Sequence, residues 1–179
     1  MKLPSLRTWL IVVASVLVLA GVGVVYIIKN PSLPRGWVWH EEVKCRVALP
    51  PGERWPVDSE PKVRVIVGEK AFVSLTKDDG DPARGLSPEE SLDAHFDSIV
   101  RRDDPLVKVR ERFKTRDGQA IVYRSERSVN VGIKPMEWIQ CKGMVIRAKG
   151  RFYHLSADLV PGVLTEEDAD FLSRSFRPK

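Results

Sequence analysis

The sequence has few of the residues that carry most enzyme chemistry. It contains two cysteines, neither in a C-x-x-C motif, and three histidines that are far apart and share no metal-ligand spacing. No H-E-x-x-H, P-loop, G-x-G-x-x-G or G-x-S-x-G motif occurs in the 179 residues. We therefore predict a protein that is not an enzyme and that binds neither a cofactor nor a metal.

The chain also lacks a concentrated charge of one sign. It has 29 basic and 24 acidic residues, a net charge of +5. Setting aside Lys2, Arg7 and Lys29, which flank an apolar run, leaves a net charge of +2 over positions 30–179. Nucleic-acid binding requires a clustered basic surface, and the remaining charges are mixed in sign. We therefore expect no nucleic-acid partner.

A long apolar run near the N-terminus predicts a membrane anchor. Trp9 to Ile28 is a stretch of 20 residues without a charge, and a helix of that length spans a hydrocarbon core of about 30 Å. Trp9 and Tyr26 lie near its ends, where aromatic rings favour the headgroup region. The alternative is a signal peptide cleaved after Ala20, but a signal core is shorter, about 7–15 residues. We expect an uncleaved signal-anchor that contacts the bilayer through residues 9–28.

The anchor divides the chain into four segments. We expect a short flank at 1–8, the transmembrane anchor at 9–28, a proline-containing linker at 29–42 and a single domain at 43–179. Basic residues are slightly in excess on the N-terminal side of the anchor, and cytoplasmic flanks of membrane helices carry such an excess. The expected location is therefore the cell (inner) membrane, single-pass, with a cytoplasmic N-terminus and an extracytoplasmic domain.

The two cysteines, Cys45 and Cys141, both lie in the predicted domain. In an extracytoplasmic domain, a disulfide between them would close a loop of about 96 residues and add roughly 4–5 kcal/mol of stability. Two buried thiols that pack as small apolar residues fit the sequence equally well. The sequence leaves both alternatives open.

Capping sequences predict two helices in the domain. The first has Ser87 at its N-cap, Pro88 at its first helical position and Glu90 two residues later. An apolar stripe then follows, beside which we expect His95 on the exposed helix surface. That stripe consists of Leu92, Phe96, Ile99 and Val100. A second capping sequence begins at Thr165 and predicts a helix near the C-terminus.

Alternating apolar and charged residues predict strands on both sides of the first helix. Charged residues at alternate positions imply an antiparallel sheet with one solvated face. The order is strands, helix, four strands, helix, which indicates an α+β domain. The expected strands lie near 43–47, 63–67 and 71–76 (two strands, or one strand interrupted near Gly68), 107–113, 120–127, 136–148 with an interruption at Gly143, and 151–157.

Four segments carry a resemblance to a known family. They are LPPGERW (49–55), SPEESLDAHFDSI (87–99), the strand GRFYHLSAD (150–158) and the terminal SRSFR (173–177). Over roughly 43–177 the chain resembles the PsbP-like (DcrB-like) family. The resemblance implies a PsbP-like α/β sandwich, an antiparallel sheet with helices packed on it, and an accessory or assembly role without a shared catalytic signature.

Three functions follow as hypotheses. The first is a membrane-tethered, non-enzymatic accessory domain that docks on an unidentified membrane or envelope protein complex. The second is a tethered small-ligand or lipid carrier, which would need a pocket lined by residues such as Phe96, Trp138 and Phe152. The third is an enzyme that uses His154 as a general base, although a strand histidine is more often structural.

Overall fold

The structure is a computed structural model that divides the chain into two units, Met1–Arg35 and Gly36–Lys179. In the first unit, Val13 and residues 15–18 are helical, whereas the expected anchor positions Trp9, Tyr26 and Ile28 lie outside the described residues. Within the described residues, no helix is both long enough and apolar enough to cross a membrane. The structure describes residues 13, 15–18, 32–41, 43–54, 62–78, 85–103, 106–115, 118–129 and 137–179.

Within its described residues, the second unit contains two antiparallel sheets and two helices. The elements are β1 (Val38–His40), β2 (Cys45–Leu49), β3 (Glu53–Arg54), β4 (Lys62–Val67), β5 (Ala71–Asp78), α1 (Pro88–Asp103), β6 (Leu106–Thr115), β7 (Gly118–Val129), β8 (Glu137–Ala148), β9 (Arg151–Leu159), α2 (Glu166–Ser175) and β10 (Arg177–Pro178). The larger sheet has seven strands in the order β3-β4-β5-β9-β8-β7-β6, and the smaller has three in the order β1-β2-β10. The antiparallel sheet with packed helices that the sequence predicts is confirmed.

The segment around Gly68 forms a hairpin of two strands. Val63, Val65 and Val67 of β4 are buried while Arg64 is exposed, the alternation of a strand with one face in the core. Gly68 has a φ of 56°, in the left-handed region that glycine adopts at no steric cost, and β5 returns antiparallel to β4. Of the two alternatives that the sequence leaves open here, two strands or one strand interrupted near Gly68, the structure has two strands.

Helix α1 begins at the predicted cap and covers one face of the seven-stranded sheet. The backbone N–H of Ser87 donates to the Glu90 carboxylate (2.9 Å), and the N–H of Glu90 donates to the Ser87 hydroxyl (3.3 Å). These bonds lower the pKa of Glu90 below its ordinary value. Below the cap, one apolar cluster joins the helix to strands β7, β8 and β9. Its members are Leu92, Phe96, Ile99, Ile121, Tyr123, Val145 and Phe152.

The predicted surface position of His95 is wrong. Its ring is 7% exposed and stacks on Phe152 of β9, with ring centroids 4.1 Å apart. The helical wheel places His95 beside the apolar stripe, and the sheet is wide enough that β9 extends under that position. An aromatic side chain on the strand therefore supplies a partner that the helix sequence does not reveal.

Helix α2 and the small sheet cover the opposite face. Tyr153 follows Phe152 in β9 and so points to the other side of the sheet, where its ring packs against Phe176 with centroids 5.1 Å apart. Ser175 at the end of α2 accepts a hydrogen bond from the backbone N–H of Ala48 in β2 (3.0 Å). The expectation of one solvated face is therefore wrong at β8, on which a helix packs from each side, whereas Arg64 of β4 and Asp78 of β5 are exposed on the face that carries α1.

The small sheet joins distant parts of the domain. Strand β2 pairs with β1 on one side and with β10 on the other. Beyond β10, the backbone N–H of Lys179 donates to the carbonyl of Lys44 (2.9 Å), and its ammonium bonds Glu41. That ammonium lowers the pKa of Glu41. Strand β1 lies within the segment 29–42 that the sequence assigns to a linker, and it adds an edge to β2.

No disulfide joins Cys45 and Cys141, although both residues are buried. Cys45 lies in β2 of the small sheet and Cys141 in β8 of the large one. The thiol of Cys141 donates to the Asp158 carboxylate (3.2 Å), which lies directly opposite on β9. Of the two alternatives that the sequence leaves open, the structure has the buried thiols.

Candidate interaction surface

A row of residues crosses four strands at one end of the large sheet. The register places Leu106 of β6 opposite Glu126, Glu126 opposite Gln140, and Gln140 opposite Leu159. All four therefore belong to the face that carries α2. A pocket of about 150 Å³ opens here beside the first turn of that helix. It is lined by Arg124, Ser125, Glu126, Gln140, Cys141, Leu159 and Glu166.

Two large apolar side chains are exposed around this pocket. Trp138 lies two residues before Gln140 in β8, hence on the same face, and is 59% exposed. Leu106 is 55% exposed and starts β6, two strand spacings or about 10 Å from β8. We call these two residues and the half-buried Leu159 the Trp138 patch (Leu106, Trp138 and Leu159); in the row across the strands, Glu126 and Gln140 lie between Leu106 and Leu159. Tryptophan is enriched among the residues that dominate protein interfaces.

Ion pairs hold the helix side of the patch in place. Lys142 is only 9% exposed, and its ammonium bonds Glu166 (3.2 Å) and Asp170 (2.5 Å) of α2. Arg124 of β7 bonds Glu166 from the solvent side. Because Lys142 is buried on β8 and its partners are on α2, it fixes the first turns of the helix against the strand. The patch therefore rests on a rigid support with charges of both signs at its rim.

The buried carboxylate of Asp158 links neighbouring strands of the large sheet through hydrogen bonds. It accepts hydrogen bonds from the Cys141 thiol (3.2 Å) and from the backbone N–H of Phe72 (3.1 Å) in the neighbouring strand β5. Three adjacent strands, β5, β9 and β8, are thereby linked through one side chain. Cys141 reaches the pocket wall, but its sulfur is turned to this carboxylate.

His154 lies on the opposite face, in a polar strip beside α1. Its Nε2 and the Tyr123 hydroxyl are 2.5 Å apart, and Ser74 and Ser156 hydrogen-bond beside them (2.7 Å). Gly143 lies between Tyr123 and Ser156 in the register, and its missing side chain leaves space for the tyrosine ring. The histidine thus acts as a hydrogen-bond partner of a core tyrosine.

The three histidines do not come together. His40 bonds the guanidinium of Arg54 (2.5 Å) at the small sheet, while His95 stacks on Phe152 and His154 contacts Tyr123. In the part of the chain that the structure describes, no three histidine, cysteine, aspartate or glutamate side chains are arranged to hold a metal ion.

The residues expected to line a carrier pocket are also separated. Phe96 and Phe152 are buried in the cluster beneath α1. Trp138 lies an odd number of positions from Val145, a member of that cluster, so it points to the other face. The three therefore do not line a common cavity.

Sequence reasoning missed the patch as a unit. The one available signal was Leu106, an apolar residue at the start of a strand whose following residues are mostly charged. The cross-strand register that brings it into a row with Gln140 depends on the β6–β7–β8 pairing, which local patterns do not specify. Arg124 and Glu166 likewise meet only because α2 returns over β8, the neighbour of β7.

Comparison with protein-family models and with curated proteins gives no match. Among solved structures, the chain is similar to the solution structure of cyanobacterial PsbP (CyanoP) from Synechocystis sp. PCC 6803. The two share 12% sequence identity at a TM-score of 0.50, over 84% of this chain and 96% of the other. At that identity the likeness concerns the fold alone. The mostly antiparallel sheet with its few helices is thus a PsbP-like fold.

Proposed function

We propose that this protein is a membrane-tethered, non-enzymatic accessory domain that docks on a membrane or envelope protein complex outside the cytoplasm. The observation that carries the proposal is the Trp138 patch. Large apolar side chains that stay more than half exposed around a pocket are typical of protein-binding surfaces. The accessory roles that the PsbP-like resemblance implies agree with this function.

The tether is supported by the N-terminal unit. The uncharged run from Trp9 to Ile28 has the length of a membrane span. Where that run is described, it is helical, and Val16, Leu17 and Val18 are exposed. An exposed apolar helix is unfavourable in water and favourable in lipid. An extracytoplasmic domain follows from the basic residues that precede the run.

At this surface, the size of the pocket favours the docking of a protein over the binding of a small ligand. Sites for small molecules usually enclose about 300–1,000 Å³, whereas the pocket beside the Trp138 patch has about 150 Å³. Such a volume suits one side chain of a protein partner. The alternative, a lipid carrier, is one of the possibilities that the following experiment distinguishes.

The test is photo-crosslinking in native membranes. A photoreactive phenylalanine analogue replaces Trp138 in the full-length chain, and a matched variant carries it at Leu86, a comparably apolar exposed position. We expect one protein to be captured reproducibly from position 138 and not from position 86. Adducts with lipid alone, or equal capture from both positions, would contradict a docking function at this patch.

A further inference from the structure

The outer strand of the large sheet is a second feature of this surface. Strand β6 pairs with β7 on one side, and within the described residues no strand lies on its other side. At ten residues it is long for an edge. A free edge presents unpaired backbone N–H and C=O groups along its length, which form a template for an added strand.

The charges of β6 determine which kind of strand can pair with its free edge. Lys108, Arg110, Arg112 and Lys114 recur at every second position of the β6 sequence, against a single acid, Glu111. Arg112 is engaged by Asp93 of α1, which raises the pKa of the guanidinium. The register of β6 against β7 shifts between Val107 and Val109, so Lys108 lies outside the regular pairing with β7. A second copy of β6 would place cations opposite cations in every register that sets the even-numbered positions opposite each other, which is destabilising.

The same cations favour a strand that carries carboxylates. Opposite charges on directly paired positions stabilise an antiparallel or parallel pair, and backbone hydrogen bonds supply the rest of the affinity. Exposed Leu106 lies at the start of the strand and belongs to the Trp138 patch. A bulky apolar residue at one end of an added strand would therefore contact the exposed side chain of Leu106.

We propose that β6 is the docking edge for an extended acidic segment of a partner protein, which adds as an eighth strand with an apolar residue beside Leu106. This inference rests on the proposed docking function and names its partner chemistry. Basic edge strands also protect proteins from self-association. Here one set of charges excludes a second copy and admits the acidic strand.

The experiment uses the full chain in phosphatidylcholine nanodiscs and a defined peptide. The probe is a fluorescent ten-residue peptide that alternates glutamate with threonine and valine and ends in leucine. Its control has lysine in place of glutamate. Anisotropy measures affinity, and hydrogen–deuterium exchange locates the bound peptide. We expect only the acidic peptide to bind, with slower amide exchange confined to residues 106–115.

Charge-reversal variants test the role of the edge. The double variant Lys108→Glu with Lys114→Glu should lower the affinity for the acidic peptide by about tenfold or more, since each attractive cross-strand pair becomes repulsive. Lys70→Glu with Arg174→Glu changes the net charge equally at exposed positions outside β6. It should change affinity by less than about twofold, because distant exposed charges are screened.

Three results would overturn the inference. They are equal binding of the lysine peptide, protection elsewhere than in β6, and the same β6 protection by phosphatidylglycerol vesicles without peptide, which would indicate a lipid-binding edge. Capture of a protein from position 138 with no peptide effect at β6 would reject the edge and leave the docking function standing. Peptide addition to β6 with no capture from position 138 would support the edge and count against the Trp138 patch.

Discussion

At Gly143, one added carbon should collide with a side chain of the core. A Cβ built there would lie 2.5 Å from the Tyr123 hydroxyl oxygen and 2.6 Å from its Cε1. Non-bonded carbon atoms pack at about 3.5–4.0 Å, so the ring would have to move by about 1 Å. That movement would pull the hydroxyl from His154 and disturb the edge-to-face contact of the ring with Phe96.

The cost of Gly143→Ala follows from these contacts. Overpacking a tight core costs about 1–3 kcal/mol, and a lost hydrogen bond costs about 0.5–1.5 kcal/mol. Replacing a strand glycine with alanine returns about 0.5–1 kcal/mol of backbone entropy. We therefore expect the free energy of unfolding to fall by about 2–3 kcal/mol. Tyr123→Phe, which removes only the hydroxyl, should cost about 1 kcal/mol.

The assay is urea unfolding of the full chain in mild detergent, followed by tryptophan fluorescence. A double-mutant cycle with Tyr123→Leu separates steric conflict from any other effect of alanine, because leucine lacks the ring atoms that the new Cβ would meet. In that background Gly143→Ala should cost nothing or be slightly stabilising. An equal cost in both backgrounds, or no cost in the wild type, would refute the reasoning.

Three further predictions concern caps and thiols. Thr165→Ala should lower the free energy of unfolding by about 1 kcal/mol, since the Thr165 hydroxyl accepts a hydrogen bond from the Asp168 N–H at the start of α2. Urea titration measures this change, and an unchanged unfolding midpoint would contradict the prediction. The pKa of Glu90 is lowered by Ser87, so its contribution is complete above the ordinary glutamate range and is lost as the pH falls through the folded pKa. Glu90→Gln should therefore differ from wild type at neutral pH and converge with it in acid, as measured by melting temperature against pH. When the chain is unfolded without a reductant and treated with an alkylating reagent, mass spectrometry should find both Cys45 and Cys141 labelled. Two unlabelled cysteines would indicate a disulfide and would contradict the buried thiols.

The helix starts could be predicted because their chemistry is local. Ser87 and Glu90 are three residues apart, and both hydrogen bonds of the first cap form within that span. Thr165 and the first turn of α2 behave in the same way. The pairing of β4 with β5 depends on one short turn at Gly68. In each case the deciding interaction lies inside a window that a sequence pattern covers.

Three features that the sequence predicts wrongly or leaves open all depend on partners that are distant in sequence. His95 was assigned to the surface because Phe152, on which it stacks, lies in another element. The fate of Cys141 depends on Asp158 opposite it in β9. Gly143 suggested a break in a strand, but β8 runs through it without a gap because the Tyr123 ring occupies the space. Cross-strand register decides each of these contacts.

The pairing of β10 with β2 has a consequence for the order of folding. Hairpin contacts within β6–β9 form between neighbours in sequence and can be made early. The face of β9 that carries Tyr153 is covered by α2 and Phe176, which follow the strands of the large sheet in sequence. During synthesis the large sheet can therefore be nearly complete while one of its apolar faces is still uncovered, until residues 166–178 have emerged. Residues 166–178 thus close the domain, and a chain truncated before them would expose an apolar surface that promotes aggregation.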